Sequence, residues 1–326
     1  MKNENYILRE FDEAAYKIVN EGFDIEDDRT GIGTRCLFGI STKYDISKRV
    51  PIPTKRKVNW QSILKEVLWY ISGSSNINDL ENMGSKIWTP WKNNKFTDKH
   101  DLPEGSGGYL YGFNLIHFGA NIYKNIKRKE YEKNNPNILT EDDLDRRFGT
   151  DSKGFNQLDY VINTLKNNPK SRQACFTFWR PDTNDQAILP ACHAFYSFVV
   201  SPDENGELNV LNCHVFQRSN DYLIGVSHGN LWTATLFTYM IAQQLNMKPG
   251  TLYHSGSHCH IYHNQLQPTE QYPNSSPAEE LLSREEEPNS PILILNKRDS
   301  IYDYVVEDFV IEDYNPLPSI KFPIAV

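Results

Sequence analysis

The segment from Asn230 to Met247 is apolar on most of its sides and shows no strand-like alternation. A helix with this pattern is buried all round, and the pair Pro249-Gly250 marks its end. We therefore expect a central helix that other elements surround. A chain of 326 residues is long enough to supply that core, and we expect one large domain over residues 1–326.

Three other segments carry helical signals. Apolar residues recur at helical spacing from Asn59 to Gly73 and from Gln157 to Asn168. A first helix is expected from about Tyr6 to Val19, with a left-handed Gly22 as its stop and a loop after it. Glu66 lies at the flank of the apolar stripe of its helix, which is an unfavourable position for a carboxylate without a specific role.

Short runs rich in aromatic and β-branched residues predict strands. The runs are ACFTFW from Ala174, HAFYSFVV from His193, LNVLNCHVF from Leu208, TLYHS from Thr251, ILIL from Ile292 and YVVEDFVI from Tyr304. The turn Asn205-Gly206 between the second and third runs predicts a hairpin. Strands mixed with long helices, without regular βαβ alternation, indicate the α+β class with helices packed on a mixed β-sheet.

Two polar stretches are expected to lie outside the core. Residues 124–156 are dominated by charged, Asn and Gly residues, and we interpret them as a charged, solvated insertion. Residues 264–290 are rich in Ser, Pro and Glu and are expected to form a polar loop.

Charge, hydropathy and cysteine usage narrow the functional classes. The formal net charge of -8 argues against a protein that grips duplex nucleic acid with a broad basic face, so any phosphate site must be local. No apolar run approaches the about 18 residues of a membrane helix, and the first residues lack the apolar centre of a secretory signal. A cytosolic location is therefore expected. The five cysteines are widely spread without a CxxC pair, which favours free thiols over disulfides or a zinc ribbon.

Cys192 stands beside groups that suit nucleophilic chemistry. It directly precedes His193, just ahead of a predicted strand. Taken alone, a cysteine is more often a small buried hydrophobe than a nucleophile. Arg218 and Ser219 change that balance if the fold brings them close, because a guanidinium lowers the pKa of a neighbouring thiol.

Arginine and histidine residues mark other candidate sites. Arg29 and Arg172 lie beside turn-forming residues, where phosphate-binding arginines often occur, and the alternative is an ordinary surface arginine. The motif RTGIGT lacks the spacing of a dinucleotide or P-loop fingerprint. His258, His260 and His263 are closely spaced, but no complementary Cys or Asp cluster accompanies them, so no metal is predicted.

The order of the motifs is more specific than any one of them. The strings RTGIGT, KEVLWYISG, KIWTPW, YLYGFN, SRQACFTFW, PACHAF, QRSNDYLIG, HCHIY and SIKFPIAV follow one another along the chain. This order resembles that of the thymidylate synthase family over nearly the whole chain. Its most specific part is Cys192-His193 followed by Arg218-Ser219-Asn220-Asp221.

The resemblance implies a role for each matching residue. The residues around the pyrimidine base would be the nucleophile Cys192 with Glu66, Tyr111, His193 and Asn230. Those that bind the nucleotide would be Arg29, Arg218, Ser219, Asp221, His260 and Tyr262, with Arg172 supplied across a homodimer interface. Those that line the folate site would be Trp88, Asp221, Ile224 and Gly225, with the tail ending at Val326 closing over it.

The implied activity is C5 methylation of dUMP to dTMP through an adduct between Cys192 and C6, with 5,10-methylenetetrahydrofolate as co-substrate. Thiolate addition at C6 turns the ring into an enolate that attacks the folate methylene, and hydride transfer completes the methyl group. Two alternatives are a folate-dependent hydroxymethyltransferase acting on dUMP or dCMP and a non-catalytic relative that binds a nucleotide or RNA. The tail favours methylation because a closed site excludes water. Asn230 favours uracil because its amide both donates and accepts.

Several positions depart from the pattern of the family. Gln173, Ser197 and His258 stand where arginine, glutamine and aspartate are usual, and Thr89-Pro90 replaces an acidic residue. The segment from Gly225 to Gly229 is one residue longer than usual and lacks a Pro-Phe pair. These changes cluster around the expected base and folate pockets.

Overall fold

The computed structural model describes residues 3–26, 30–136 and 140–325. In those ranges six strands form one sheet in the order β1-β2-β6-β5-β4-β3, and β7 pairs with β8 separately. The strands are β1 (Phe23–Ile25), β2 (Thr34–Asp45), β3 (Cys175–Thr177), β4 (His193–Pro202), β5 (Leu208–Asp221), β6 (Lys248–Tyr262), β7 (Ile292–Leu295) and β8 (Phe309–Glu312). Among the pairs described in the large sheet, β5 and β6 run parallel and the rest antiparallel. The expected α+β class with a mixed sheet is confirmed.

The structure describes ten α-helices, of which the first, fifth, eighth and ninth pack against this sheet. They are α1 (Arg9–Glu21), α2 (Trp60–Ile71), α3 (Ile77–Asn82), α4 (Asn94–Lys99), α5 (Tyr111–Ile116), α6 (Ile122–Asn134), α7 (Glu141–Phe148), α8 (Gln157–Asn167), α9 (Leu231–Gln244) and α10 (Pro277–Ser283). The predictions of α2, α8 and the central helix α9 are confirmed, and residues 231–238 of α9 are all buried. None of the described helices is long and apolar enough to cross a membrane.

The expectation of a left-handed Gly22 followed by a loop is wrong. Gly22 has φ -68°, and glycine is needed there because a Cβ would lie 2.4 Å from the carbonyl oxygen of Ile18. Strands β1 and β2 follow directly, and β2 pairs with β6 along almost its whole length. The strand expected over TLYHS extends from Lys248 to Tyr262, whereas the one expected over YVVEDFVI begins only at Phe309.

Residues 124–136 and 140–156 carry helices α6 and α7, which the sequence did not predict, while most of their side chains remain at least partly exposed. Helices α6 and α7 hold the Arg128 side chain, only 3% exposed, between Glu132, Glu141 and Asp145. A buried cation is tolerated when its donors are paired, and Ser152 accepts a further bond from Arg128 at 3.0 Å. Residues 137–139 of this stretch lie outside the described ranges. The loop expected over residues 264–290 likewise contains a helix, α10.

The face of the large sheet that the helices leave uncovered carries exposed apolar side chains. They are Phe195, Val199, Phe216 and Tyr253, contributed by β4, β5 and β6. Phe195 and Phe216 are direct partners across the hairpin of β4 and β5, which the sequence predicted. The neighbours Gln217 and His254 point to the other face and are fully buried. Strand alternation thus separates an outer face that exposes apolar side chains from an inner face that packs against the helices.

Candidate active site

Cys192 and Arg218 meet where β4 begins and β5 nears its end. The backbone N–H of Arg218 donates to the carbonyl oxygen of Cys192 at 3.0 Å, and Nη2 of Arg218 lies 3.9 Å from Sγ. The guanidinium also donates to the carbonyl oxygens of Pro190 and Ala191 and lies over the ring of Trp179. Arg218 therefore fixes the loop that carries the thiol and sets a positive charge beside it, which favours the thiolate.

Tyr111 and His193 stack beneath this loop. Their rings are 4.4 Å apart and nearly parallel, and the phenol oxygen of Tyr111 accepts the backbone N–H of Cys192 at 2.8 Å. Burial lowers the pKa of His193 to about 3, so its ring is neutral near pH 7. Nδ1 of His193 lies 2.8 Å from the hydroxyl of Tyr196. His193 positions the aromatic wall and supplies no positive charge to the thiol.

Glu66 on α2 is the carboxylate that the sequence pattern placed unfavourably. Its Oε1 accepts hydrogen bonds from the hydroxyl of Tyr70, at 2.6 Å, and from the indole N–H of Trp88. Burial raises the pKa of Glu66, and these two donors oppose the rise. Trp88 is 6% exposed and packs on Tyr111, so it links the carboxylate to the aromatic wall.

A buried relay of three residues orients Asn230. His254 lies with Nε2 2.6 Å from Oε1 of Gln217, and Nε2 of Gln217 donates to Oδ1 of Asn230 at 2.9 Å. Since Gln217 Oε1 accepts only, the proton in the first contact is on His254 Nε2. Burial lowers the pKa of His254 to about 3, which keeps this ring neutral. The relay therefore fixes the orientation of the Asn230 side-chain amide, with Oδ1 towards Gln217.

Residues 222–230 form a π-helical segment between β5 and α9. A π-helix bonds residue i to i+5 rather than i+4, so this segment could take up the additional residue that the family resemblance predicts. Arg56 donates from Nη2 to the carbonyl oxygen of Leu223, at 2.6 Å, and to Oγ of Ser227, at 2.9 Å. Gly225 lies close to Asn230, since a Cβ on it would be 3.3 Å from Oδ1.

Asp221 caps this segment and is tied to the C-terminal tail. Its Oδ1 accepts the backbone N–H of Ile224 at 3.2 Å, and Nε2 of Gln265 lies 3.3 Å from Oδ2. Burial raises the pKa of Asp221 to about 6. Gln265 also donates to the carbonyl oxygen of Pro323, and Phe322 lies under the guanidinium of Arg56. Gln265 thus joins the tail to Asp221, one of the expected folate residues, and Arg56 joins the tail to the π-helical segment.

The strand β6 presents its histidines to the same site. His258 and His260 lie on one face with their Nδ1 atoms 3.1 Å apart, and the ring of Tyr262 meets that of His260 edge-on. Ser219 and His258 are register partners across β5 and β6. His263, by contrast, contacts Asp24 at 3.1 Å. In the three described ranges, no group of three or more His, Cys, Asp or Glu residues is placed to hold a metal.

Three expected residues either lie apart from this cluster or fall outside the residues that the structure describes. Arg172 is exposed on the turn before β3. Arg29 and Val326 lie outside the described residues, so their roles stay predictions. The sequence reasoning overlooked Gln217, His254, Gln265 and Arg56. Gln217 and His254 occupy inward positions of strands that otherwise bury apolar residues, and that break in the alternation is the signal by which they could have been found.

Comparison with known proteins identifies similar sequences over the same span. The family model described as thymidylate synthase matches residues 9–326. The thymidylate synthase of Homo sapiens is 36% identical over 304 residues, covering 92% of this chain and 85% of the human protein. That of Ascaris suum is 35% identical over 317 residues, covering 95% and 94%. The thymidylate synthase of varicella-zoster virus (strain Dumas) is 32% identical over 302 residues, covering 92% and 88%.

Proposed function

The chain belongs to the thymidylate synthase family, and on that premise we propose that it methylates dUMP at C5, with 5,10-methylenetetrahydrofolate as the one-carbon and hydride donor. The observation that carries the proposal is the position of the Cys192 thiol, 3.9 Å from the guanidinium of Arg218 and on a loop held by Tyr111. A thiolate stabilised by a cation is the nucleophile that addition at C6 requires.

Asn230 is proposed to read the base. Its Oδ1 accepts from Gln217 with one lone pair, which leaves a second lone pair for the N3–H of uracil. Its Nδ2 then donates to O4. Because Gln217 is itself held by His254, the amide cannot turn over without breaking the relay, and this geometry favours uracil over cytosine.

Glu66 and Tyr111 are proposed to order the water that removes the C5 proton. Burial raises the pKa of Tyr111, so the phenol keeps its proton and acts as a hydrogen-bond donor rather than as the base. Glu66 shares Trp88 and Tyr70 with the same wall and sits where a carboxylate can hold a water molecule.

The nucleotide phosphate is proposed to bind Arg218, Ser219, Arg29 and, from the second subunit of a homodimer, Arg172. Arg218 uses Nε and Nη2 in its described contacts, and we assign its Nη1 to the phosphate. The outer sheet face carrying Phe195, Val199 and Phe216 supports the homodimer, because an apolar patch of this kind is typical of a subunit interface. A cytosolic location stays a prediction.

The folate is proposed to lie against Trp88, Asp221, Ile224 and Gly225 under the C-terminal tail. The contacts of Phe322 with Arg56 and of Pro323 with Gln265 support a tail that folds over this pocket. A closed tail excludes water from the reacting methylene group, so that the hydride of the folate reaches it first.

Product analysis tests the proposal. The protein is incubated with 5,10-methylenetetrahydrofolate and either dUMP or dCMP; the nucleotide is identified by mass and the folate by its absorbance. We expect dTMP from dUMP, with formation of dihydrofolate. A 5-hydroxymethyl nucleotide without dihydrofolate would replace methylation by the hydroxymethyltransferase reaction. If neither a product nor label exchange at C5 is detected, the protein is a non-catalytic relative that binds the nucleotide.

A further inference from the structure

The contact between His258 and His260 restricts where protons are placed on both rings. Their Nδ1 atoms are 3.1 Å apart, and Nδ1 of His260 also lies 3.4 Å from the carbonyl oxygen of His258. A carbonyl oxygen only accepts hydrogen bonds. One proton on Nδ1 of His260 satisfies both contacts, whereas the opposite arrangement would set a lone pair of that nitrogen against the oxygen.

We propose that His258 is a positioning residue that holds His260 in the tautomer protonated at Nδ1, so that His260 presents Nε2 as an acceptor for the 3′-hydroxyl of the bound nucleotide. The proposal rests on the proposed function for the identity of the ligand. It adds the direction of the hydrogen bond between His260 and the 3′-hydroxyl, and it names His258 as the residue that sets this direction. A ring held in this way accepts from a hydroxyl and discriminates against a nucleotide that lacks one.

The carbonyl group of His258 is itself held in place. Nδ2 of Asn220, on the neighbouring strand β5, lies 3.5 Å from that oxygen. The buried His260 ring, in turn, lies against the edge of Tyr262 at 4.9 Å. These contacts limit the freedom of both rings, so the proton between them has a defined donor and acceptor.

Other titratable groups face this pair from both neighbouring strands. Cys36 of β2 and Asp221 of β5 are the register partners of His260, while Phe38 and Ser219 are those of His258. On the same face of β6 the nearest titratable neighbour is Tyr262. Asp221 changes charge at about pH 6, so nucleotide binding is compared at pH 8. The test also observes the ring nitrogens.

The first measurement is made on the free protein labelled with 15N-histidine. Two-bond proton–nitrogen correlation spectra distinguish the tautomers, and the His258→Asp variant assigns the signals of the pair. We expect His260 at pH 8 to carry its proton on Nδ1 in both proteins. A proton on Nε2 of His260 in the native protein overturns the proposal. This result does not depend on turnover, so it separates failure of this inference from failure of the proposed function.

The second measurement compares the dissociation constants of dUMP and of its 3′-deoxy analogue, 2′,3′-dideoxyuridine monophosphate. The native protein should favour dUMP at pH 8, and His258→Phe should weaken dUMP by about five- to tenfold with little effect on the analogue. His258→Asp should keep the preference. His100→Phe, at the residue that follows helix α4, is the matched control and should change neither constant. Equal weakening of both nucleotides by His258→Phe overturns the proposal.

Should His258→Phe fail to fold, the spectra of both proteins and the nucleotide preference of His258→Asp at pH 8 still decide. Loss of that preference in His258→Asp overturns the proposal.

Discussion

The backbone N–H of Cys192 donates to the phenol oxygen of Tyr111 at 2.8 Å, which ties the thiol loop to the first turn of α5. The Tyr111 ring also stacks on His193, the residue that follows Cys192. The nucleophile is thus held from two sides by one aromatic residue. Precise placement of the reacting sulfur is a large part of the rate gain in reactions of this type.

Replacing Cys192 by serine should abolish turnover and leave nucleotide binding largely intact. A serine hydroxyl is far too weak an acid to add at C6, even beside Arg218, whereas the phosphate contacts do not involve the sulfur. Steady-state kinetics and equilibrium binding of dUMP measure the two effects. Activity within tenfold of the native protein would remove Cys192 from the role of nucleophile.

The substitution Asn230→Asp should shift preference from dUMP towards dCMP. The carboxylate keeps an oxygen for the Nε2 donor of Gln217, so the relay survives, but it loses the amide donor that suits O4 of uracil. Its other oxygen accepts from the amino group of cytosine. The ratio of kcat/KM for the two nucleotides measures the shift. An unchanged ratio would show that residue 230 does not touch the base.

Deleting Val326 should slow hydride transfer much more than it weakens nucleotide binding. The tail before it is anchored by the buried Ile320 and by Phe322 under Arg56, so that the last residue acts on closure of the pocket rather than on the nucleotide. Single-turnover formation of dihydrofolate and dUMP binding are the two readouts. Equal losses in both would contradict a closing role for the tail.

Phe216→Asp should dissociate the proposed homodimer and remove activity together. Phe216 is 39% exposed on the outer face of the sheet, where burial of a charge in an interface is costly. Ile294→Asp on β7 is a matched control, since Ile294 is similarly exposed at 43% but lies on the separate two-stranded sheet. Sedimentation velocity and turnover are measured for both. A monomer that retains full activity would refute the shared active site.

Acid should destabilise the folded protein, and His228→Asn should make that loss shallower. Burial lowers the pKa of His228 to about 4, with Arg56 adding to the effect. Between its unfolded pKa near 6.5 and about 4, the unfolded chain binds the proton and the folded one does not. Stability is therefore present above pH 6.5 and lost as the pH falls. Urea unfolding should show a slope smaller by at most about 1.4 kcal/mol per pH unit in the variant.

Periodicity predicted the elements whose apolar residues repeat on one face, such as α2 and α9, together with the hairpin of β4 and β5. It failed for α6, where Arg128 replaces an apolar core residue and is held by acidic partners distant in sequence. It failed also for β2, whose charged and glycine residues face outward and hide the alternation. Such pairings become visible only when the chain is folded.

The motifs predicted most members of the site, but not the contacts that orient them. Cys192 and Arg218 are far apart in sequence, and the register of β4 against β5 is what brings them together. The relay from His254 through Gln217 to Asn230 joins two strands and a helix start, so no local pattern reveals it. Sequence reasoning proposed the reacting groups and missed the residues that orient them.

The π-helical segment at residues 222–230 lies between β5 and α9, and Arg56 and Ser227 both donate to the carbonyl oxygen of Leu223 within it. If the additional residue that the family resemblance predicts lies here, a single turn takes up the whole change of chain length. We therefore expect a gene that gains or loses a single codon at this point still to encode a folded protein.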